Sequence, residues 1–232
     1  IAPPLAGEIQ VWLTPAENDA GTRYLANGRD CLPENERRRL DGYRSAGAAS
    51  QFLLGRLLVR RVLGRMLNIP PERLPIKIDA NGKPWLAETT SEIPIFSLSH
   101  DGGQAMLAVA AAGELGCDMV RLNRANKVQR IAKTYFPAAD FRRIETPEQA
   151  VAVWAKKEAR AKACGHSIWH ELGRPLFEGA GTAHVDGWQF MTLLSKDGKI
   201  FAVAYRARPS NKLCEPPRVS YRVDGSSNET LI

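Results

Sequence analysis

The chain has 232 residues, 44% of them hydrophobic, enough for one large packed domain or two small ones. No run approaches the roughly 20 apolar residues of a membrane span. The four cysteines (Cys31, Cys117, Cys164 and Cys214) form no CxxC pair, so reduced thiols are expected and a structural zinc site is not. A net charge of +7 and a pI of about 9.4 call for an anionic partner, while 7% aromatics without a basic–aromatic stripe argues against dedicated single-strand nucleic-acid binding.

The start, Ile1-Ala2-Pro3-Pro4-Leu5, lacks the basic and long apolar regions of a signal peptide, so a cytoplasmic location is expected. Ile9, Val11 and Leu13 alternate with mixed neighbours, as in a half-buried strand. Glu34 to Arg39 reads as a charged helical run. Ala48 to Leu67 is a long helix carrying Phe52, Leu53, Leu57, Leu58, Val62, Leu63 and Met66, with Arg56, Arg60, Arg61 and Arg65 interspersed. Pro70-Pro71 follows its end. Ile76 and Ile78 suggest a short strand, and Asp79 to Pro84 a turn.

Ile93–Leu98, Met106–Ala111 and Leu115–Val120 read as strands. Asn126–Tyr135, Ala138–Ile144 and Pro147–Cys164 read as helices, and Val185–Leu194 with Ile200–Tyr205 as a closing strand pair. The residues from Pro209 onward, with Pro216-Pro217 and Gly225-Ser226-Ser227-Asn228, are expected to be peripheral. Helices and strands mix without strict alternation, which predicts an α+β fold.

The clearest helix is 147–164. Thr146 and Gln149 make a capping box, Pro147 suits the first helical position and Gly165 the stop. Val151, Trp154, Glu158 and Lys162 share roughly one side of it. Taken alone, Glu158 and Lys162 read as a surface ion pair; on the side that bears the apolar stripe they can also be a site. Asp118 in Gly116-Cys117-Asp118-Met119-Val120 is an acid in an apolar strand, which needs a partner or a metal. Arg121 is one available partner. Ser99-His100-Asp101-Gly102-Gly103 ends a strand in a polar turn and could meet phosphate oxygens. Residues adjacent in a strand face opposite ways, so Ser99 and His100 are not expected to work as a hydrolase pair. His166 and His170 are spaced to share a metal, with no third ligand evident.

Gly82-Lys83-Pro84, a strand ending in Ser99-His100, then Gly116-x-Asp118, then Trp154-x-x-Lys157-Glu158-Ala159-x-x-Lys162 resembles the 4′-phosphopantetheinyl transferases, in that family's order. The N-terminal half, with Phe52-Leu53-Leu54-Gly55-Arg56-Leu57, resembles the long, monomeric surfactin-synthetase (Sfp) type. The resemblance implies a pseudo-twofold pair of similar α+β halves with coenzyme A between them. It implies residues 1–112 as the adenine and 3′-phosphate half, 113–208 as the half with the metal site and catalytic helix, and 209–232 as a peripheral tail. It further implies Mg²⁺-dependent transfer of the phosphopantetheine arm to a serine of an apo acyl or peptidyl carrier protein, releasing adenosine 3′,5′-bisphosphate. By resemblance, Asp118 and Glu158 hold the metal, Glu158 is the general base and Lys162 binds the pyrophosphate, with Lys157 as a possible helper. Ser99 and His100 contact phosphates of coenzyme A, Lys83 and Pro84 lie beside the adenine, and Arg56, ahead of Arg37–Arg39, meets the 3′-phosphate. Neither a nucleic acid nor a membrane is an expected partner. One departure stands out: the family pattern Gly-x-Asp-x-Glu has Val120 in place of its second acid. That departure keeps open a catalytically weak module binding coenzyme A or a carrier protein.

Overall fold

The computed structural model describes residues 1–15, 23–26, 28–87, 94–178, 185–207, 217–224 and 229–231. His184 and Cys214 lie outside them. The fold is α+β, and the chain divides into two compact units: Ile1–Asp79, Pro84–Ala111 and Pro217–Ile232 form the first, Ala80–Lys83 and Ala112–Pro216 the second. Among the described residues, no helix is long and apolar enough to cross a membrane.

In the first unit, β1 (Glu8–Leu13) lies between β5 (Gln104–Ala110) and β9 (Arg218–Val223), with β4 (Ile95–Asp101) and β10 (Glu229–Leu231) at the edges. A two-stranded ribbon of β2 (Ile76–Ile78) and β3 (Pro84–Leu86) lies beside the chain's first long helix, α2 (Ala46–Leu67), which follows α1 (Glu34–Asp41). Ser45 caps α2 by accepting from the Ala48 amide, and Asn68 ends it in the left-handed conformation (φ 54°). Its apolar face (Leu54, Leu57, Leu58, Val62) packs on Trp12, Phe96, Leu107 and Val109 from the sheet.

The expected peripheral tail is instead structural. β9 pairs in parallel with β1 from Glu8↔Arg218 to Leu13↔Val223, and the strand has the period-two pattern Val219, Tyr221, Val223. Asp224, 1% exposed, accepts a hydrogen bond from the Tyr24 hydroxyl at 2.6 Å and pairs with Arg65 on α2, tying the strand's end to the helix. Burial first, then the Asp224 charge, pushes the Tyr24 phenol well above its ordinary range.

In the second unit, β6 (Glu114–Arg121) and β7 (Gln189–Leu194) flank β8 (Lys199–Arg206) in an antiparallel sheet. Val185–Gly187, expected as strand, is a short 3₁₀ turn before β7. The long helix α5 (Pro147–Cys164) lies on this sheet, with α3 (Ala125–Tyr135), α4 (Ala138–Phe141) and α6 (Ile168–Leu172) on its other sides. The expected capping box at Thr146 and Gln149 is present, and Gly165 ends the helix at φ 69°. Val151, Ala155 and Ala159 face Val120, Ile200, Ala202 and Ala204, while Val153 faces Ala132, Phe136 and Leu172. Thus each unit holds one long helix against a sheet.

Two buried ion pairs fix α5 from the side away from the sheet. Lys157 and Asp140, both 0% exposed, pair at 2.7 Å, and Arg160 pairs with Glu171 at 2.6 Å. Breaking a buried pair leaves an uncompensated charge, so Lys157→Ala is expected to cost about 3–5 kcal/mol in denaturant unfolding. The double change Lys157→Met with Asp140→Leu should recover only part of that loss, since the apolar pair needs no counter-charge but leaves unpaired the buried Leu176 amide, which donates to Asp140 Oδ1 at 2.9 Å.

Candidate active site

Gly116, Asp118 and Val120 alternate along β6 opposite Ala204, Ala202 and Ile200 of β8, and all three face α5. The helix comes unusually close here. A Cβ built on Gly116 would lie 1.9 Å from the Ala159 carbonyl oxygen and 2.7 Å from the Ala163 amide nitrogen. The absence of a side chain at 116 and the small ones at Ala155, Ala159 and Ala163 let strand and helix backbones meet. That contact carries Asp118 to the flank of α5 where Glu158 and Lys162 emerge one turn apart.

Lys162 Nζ donates to Asp118 Oδ1 at 2.7 Å. Asp118 is 6% exposed, whereas the Lys162 side chain is 32% exposed. Burial would lower the Lys162 ammonium, but the Asp118 charge and hydrogen bond, together with the Glu158 charge, hold it above its usual value. Glu158 is half-buried. Burial, then the Asp118 carboxylate, pushes it up to about 7, against the opposing charges of Lys162 and Arg124. So two carboxylates and one lysine share a partly dehydrated corner. Two carboxylates meeting in such a corner offer hard oxygen donors, so the donor set fits magnesium.

The Glu158 shift has a stability consequence. With its folded pKa near 7 and its unfolded value at 4.5, its contribution is fully present below about pH 4.5 and is lost as pH rises through 7. In metal-free protein, Glu158→Gln should therefore match wild type near pH 4.5. It should exceed wild type by about 1–2 kcal/mol at pH 8, a full shift of that size being discounted for solvent screening. Chemical denaturation at the two pH values reads this directly.

Lys83 also lies against α5. Its ammonium donates to the Lys162 carbonyl at 2.8 Å and the Ala163 carbonyl at 3.3 Å, two of the carbonyls left open at the helix's C-terminal end. The lysine expected beside an adenine is thus a cap for this helix. Lys83→Met is expected to cost about 1 kcal/mol, a fall of about 2–4 °C in Tm.

Within the second unit, two other expected positions do not join this cluster. Lys157 turns about 100° from Glu158 around the helix into the buried pair with Asp140, so it is not part of the site. Val120, 2% exposed, lies in the core with Val128, Val151 and Ala155 and brings no second acid. Ser99, His100, Pro84 and Arg56 belong to the first unit. Ser99 is 4% exposed, and His100 on the opposite face is exposed at the end of the row Phe96, Leu98, His100, whose first two residues pack into the core with α2. The strand runs on to Asp101, and Gly102 and Gly103 form the turn with positive φ. Arg56, 8% exposed, faces Glu36 at 3.4 Å across from Arg60 and crosses the Phe52 ring at 5.4 Å. Its Nη1 is buried without a hydrogen-bond partner among the described residues.

The family model described as 4′-phosphopantetheinyl transferase, N-terminal, matches residues 21–112. The Synechocystis sp. protein slr0495 is 27% identical over 165 residues, covering 68% of this chain and 65% of its own length. HetI of Nostoc sp., a 4′-phosphopantetheinyl transferase, is 26% identical over 211 residues, covering 86% and 88%. The chain is thus similar to 4′-phosphopantetheinyl transferases. The human L-aminoadipate-semialdehyde dehydrogenase-phosphopantetheinyl transferase is 28% identical over 171 residues, 67% of this chain and 55% of the human one. The chain therefore spans between about half and nine-tenths of the length of these relatives. The family model covers residues of the first unit, whereas the acidic cluster sits in the second.

Proposed function

We propose that the protein is a 4′-phosphopantetheinyl transferase of the Sfp type, a monomer of the cytoplasm, that moves the phosphopantetheine arm of coenzyme A to a serine of an apo acyl or peptidyl carrier protein. The observation that carries this reading is the meeting of Asp118, Glu158 and Lys162 in one partly dehydrated corner, in a chain similar to such transferases.

Asp118 and Glu158 would hold Mg²⁺, which when bound supplies charge neutralisation to the pyrophosphate. By resemblance Glu158 also accepts the serine proton; the rise to about 7 is that of the metal-free protein. Lys162, paired with Asp118 and one helical turn from Glu158, would meet the charge that develops on the leaving bisphosphate. The remaining metal positions fall to water and to phosphate oxygens, because Val120 supplies none. In the first unit, Ser99, His100, Pro84 and the free Nη1 of Arg56 are assigned to coenzyme A by resemblance, Arg56 to the 3′-phosphate. The basic charge suits steering toward an acidic carrier.

The buried Val120 favours a second reading, a module that binds coenzyme A or a carrier without turnover. Following adenosine 3′,5′-bisphosphate release from coenzyme A separates the two. Release that requires both Mg²⁺ and an apo carrier supports the transferase; calorimetric binding of coenzyme A without release at any Mg²⁺ or Mn²⁺ concentration selects the module.

A further inference from the structure

Just past the last turn of α5, the chain brings together donors that the proposed reaction does not use. Cys164 is the last residue of α5, His166 follows the Gly165 stop, and His170 and Glu171 lie on α6. One ligand atom each from Cys164, His166 and Glu171 lies within 4.8 Å of the others. His166 Nδ1 is 3.4 Å and His170 Nδ1 3.8 Å from the same oxygen, Glu171 Oε1. The two imidazole rings are 4.6 Å apart between centroids. A tetrahedron with zinc bonds of about 2.0–2.3 Å has edges of about 3.3–3.8 Å, so Cys164, His166 and Glu171 must draw together on one ion, with His170, which approaches the Glu171 oxygen, swinging in as the fourth donor.

The surroundings suit that role. Glu171 is 0% exposed, and its other oxygen, Oε2, is gripped by Arg160 at 2.6 Å. This is the arrangement in which an outer partner orients a ligating carboxylate. Arg174 approaches Oε1 at 3.8 Å and would have to give way; its side chain is 48% exposed and free to do so. A thiolate and a carboxylate cancel the charge of a divalent ion, leaving Arg160 paired as before. Sulfur and imidazole donors select a borderline or soft ion, in contrast to the hard oxygens of Asp118 and Glu158.

We infer that Cys164, His166, His170 and Glu171 form a tetrahedral site for Zn²⁺ that pins the C-terminal end of α5 to α6, two residues beyond Lys162. The site is separate from the carboxylate pair and does not depend on the transferase reading.

Cobalt(II) is the probe, because a thiolate ligand gives it a near-ultraviolet charge-transfer band and tetrahedral geometry gives it strong visible absorption. After stripping with a chelator, the whole protein should bind one cobalt ion with both signatures, and zinc should displace it stoichiometrically. Cys164→Ser should abolish the charge-transfer band, and His166→Ala should weaken binding at least tenfold. Both positions are partly or largely exposed, and circular dichroism checks that each variant is folded. Asp118→Asn should leave the spectrum unchanged. A thiolate band that survives Cys164→Ser would place the ion on Cys31, Cys117 or Cys214 and overturn the inference, as would the absence of any bound cobalt or an affinity unmoved by His166→Ala.

Discussion

Glu158→Ala should slow phosphopantetheine transfer by about 10²–10⁴-fold, the range for losing a positioned general base. The loss should fall chiefly on kcat, through the serine proton, with any accompanying rise in the KM for coenzyme A reporting the lost metal ligand. Glu158→Gln is the stricter variant. It keeps the shape of the side chain and, by the burial argument, makes the metal-free protein more stable above neutral pH. A variant that is better folded and much slower separates catalysis from stability, a trade-off common at strained sites. Single-turnover transfer to an apo carrier at saturating coenzyme A, with the melting curve recorded beside it, would reveal both. If Glu158→Gln turned over at the wild-type rate, the carboxylate would have no part in the chemistry.

Gly116→Ala should be strongly damaging for a single added methyl. The added carbon would sit 1.9 Å from the backbone oxygen of Ala159, a contact that no rotamer change can relieve. Strand and helix must separate, at a cost of about 3 kcal/mol or more. The same separation withdraws Asp118 from Lys162, so any folded fraction should also transfer poorly. Gly173→Ala is the control: a Cβ there meets nothing within 4 Å and φ is an ordinary −83°. Its unfolding midpoint should stay near wild type while that of Gly116→Ala falls sharply. Equal midpoints for the two variants would mean that the close approach of β6 and α5 is not a constraint.

What could be read from residues alone was what is encoded locally. Helix α5 announces itself because Thr146, Gln149 and Gly165 act within one turn of its ends. Asp118, Glu158 and Lys162 were legible as chemistry out of place: an acid in an apolar strand, and charges on the side that bears the apolar stripe. Their meeting depends on Gly116, whose need for a bare backbone arises from a helix some 40 positions later in the chain, a contact that local pattern does not encode. Strand β9 alternates plainly, but its flanking Pro216-Pro217 and Gly225-Ser226 imitate a loop, and its partner β1 lies at the opposite end of the sequence. Arg56 and Lys83 look like anion ligands in a linear chain. Their structural partners, Glu36 and the carbonyls at the end of α5, lie well away from them in sequence. Cys164 and Glu171, by contrast, lie close to His166 in sequence, and what brings the three together is the stop of α5 at Gly165 and the start of α6.

The most direct measurement is the intact mass of an apo carrier protein incubated with coenzyme A, Mg²⁺ and this protein. The carrier should gain one phosphopantetheine arm on its serine, the gain should stop when Mg²⁺ is chelated, and folded Asp118→Ala, Glu158→Ala and Lys162→Ala proteins should each slow it by at least about 100-fold. An unchanged carrier mass across carriers of fatty-acid, polyketide and peptide type, or a gain indifferent to all three substitutions, would contradict the transferase reading.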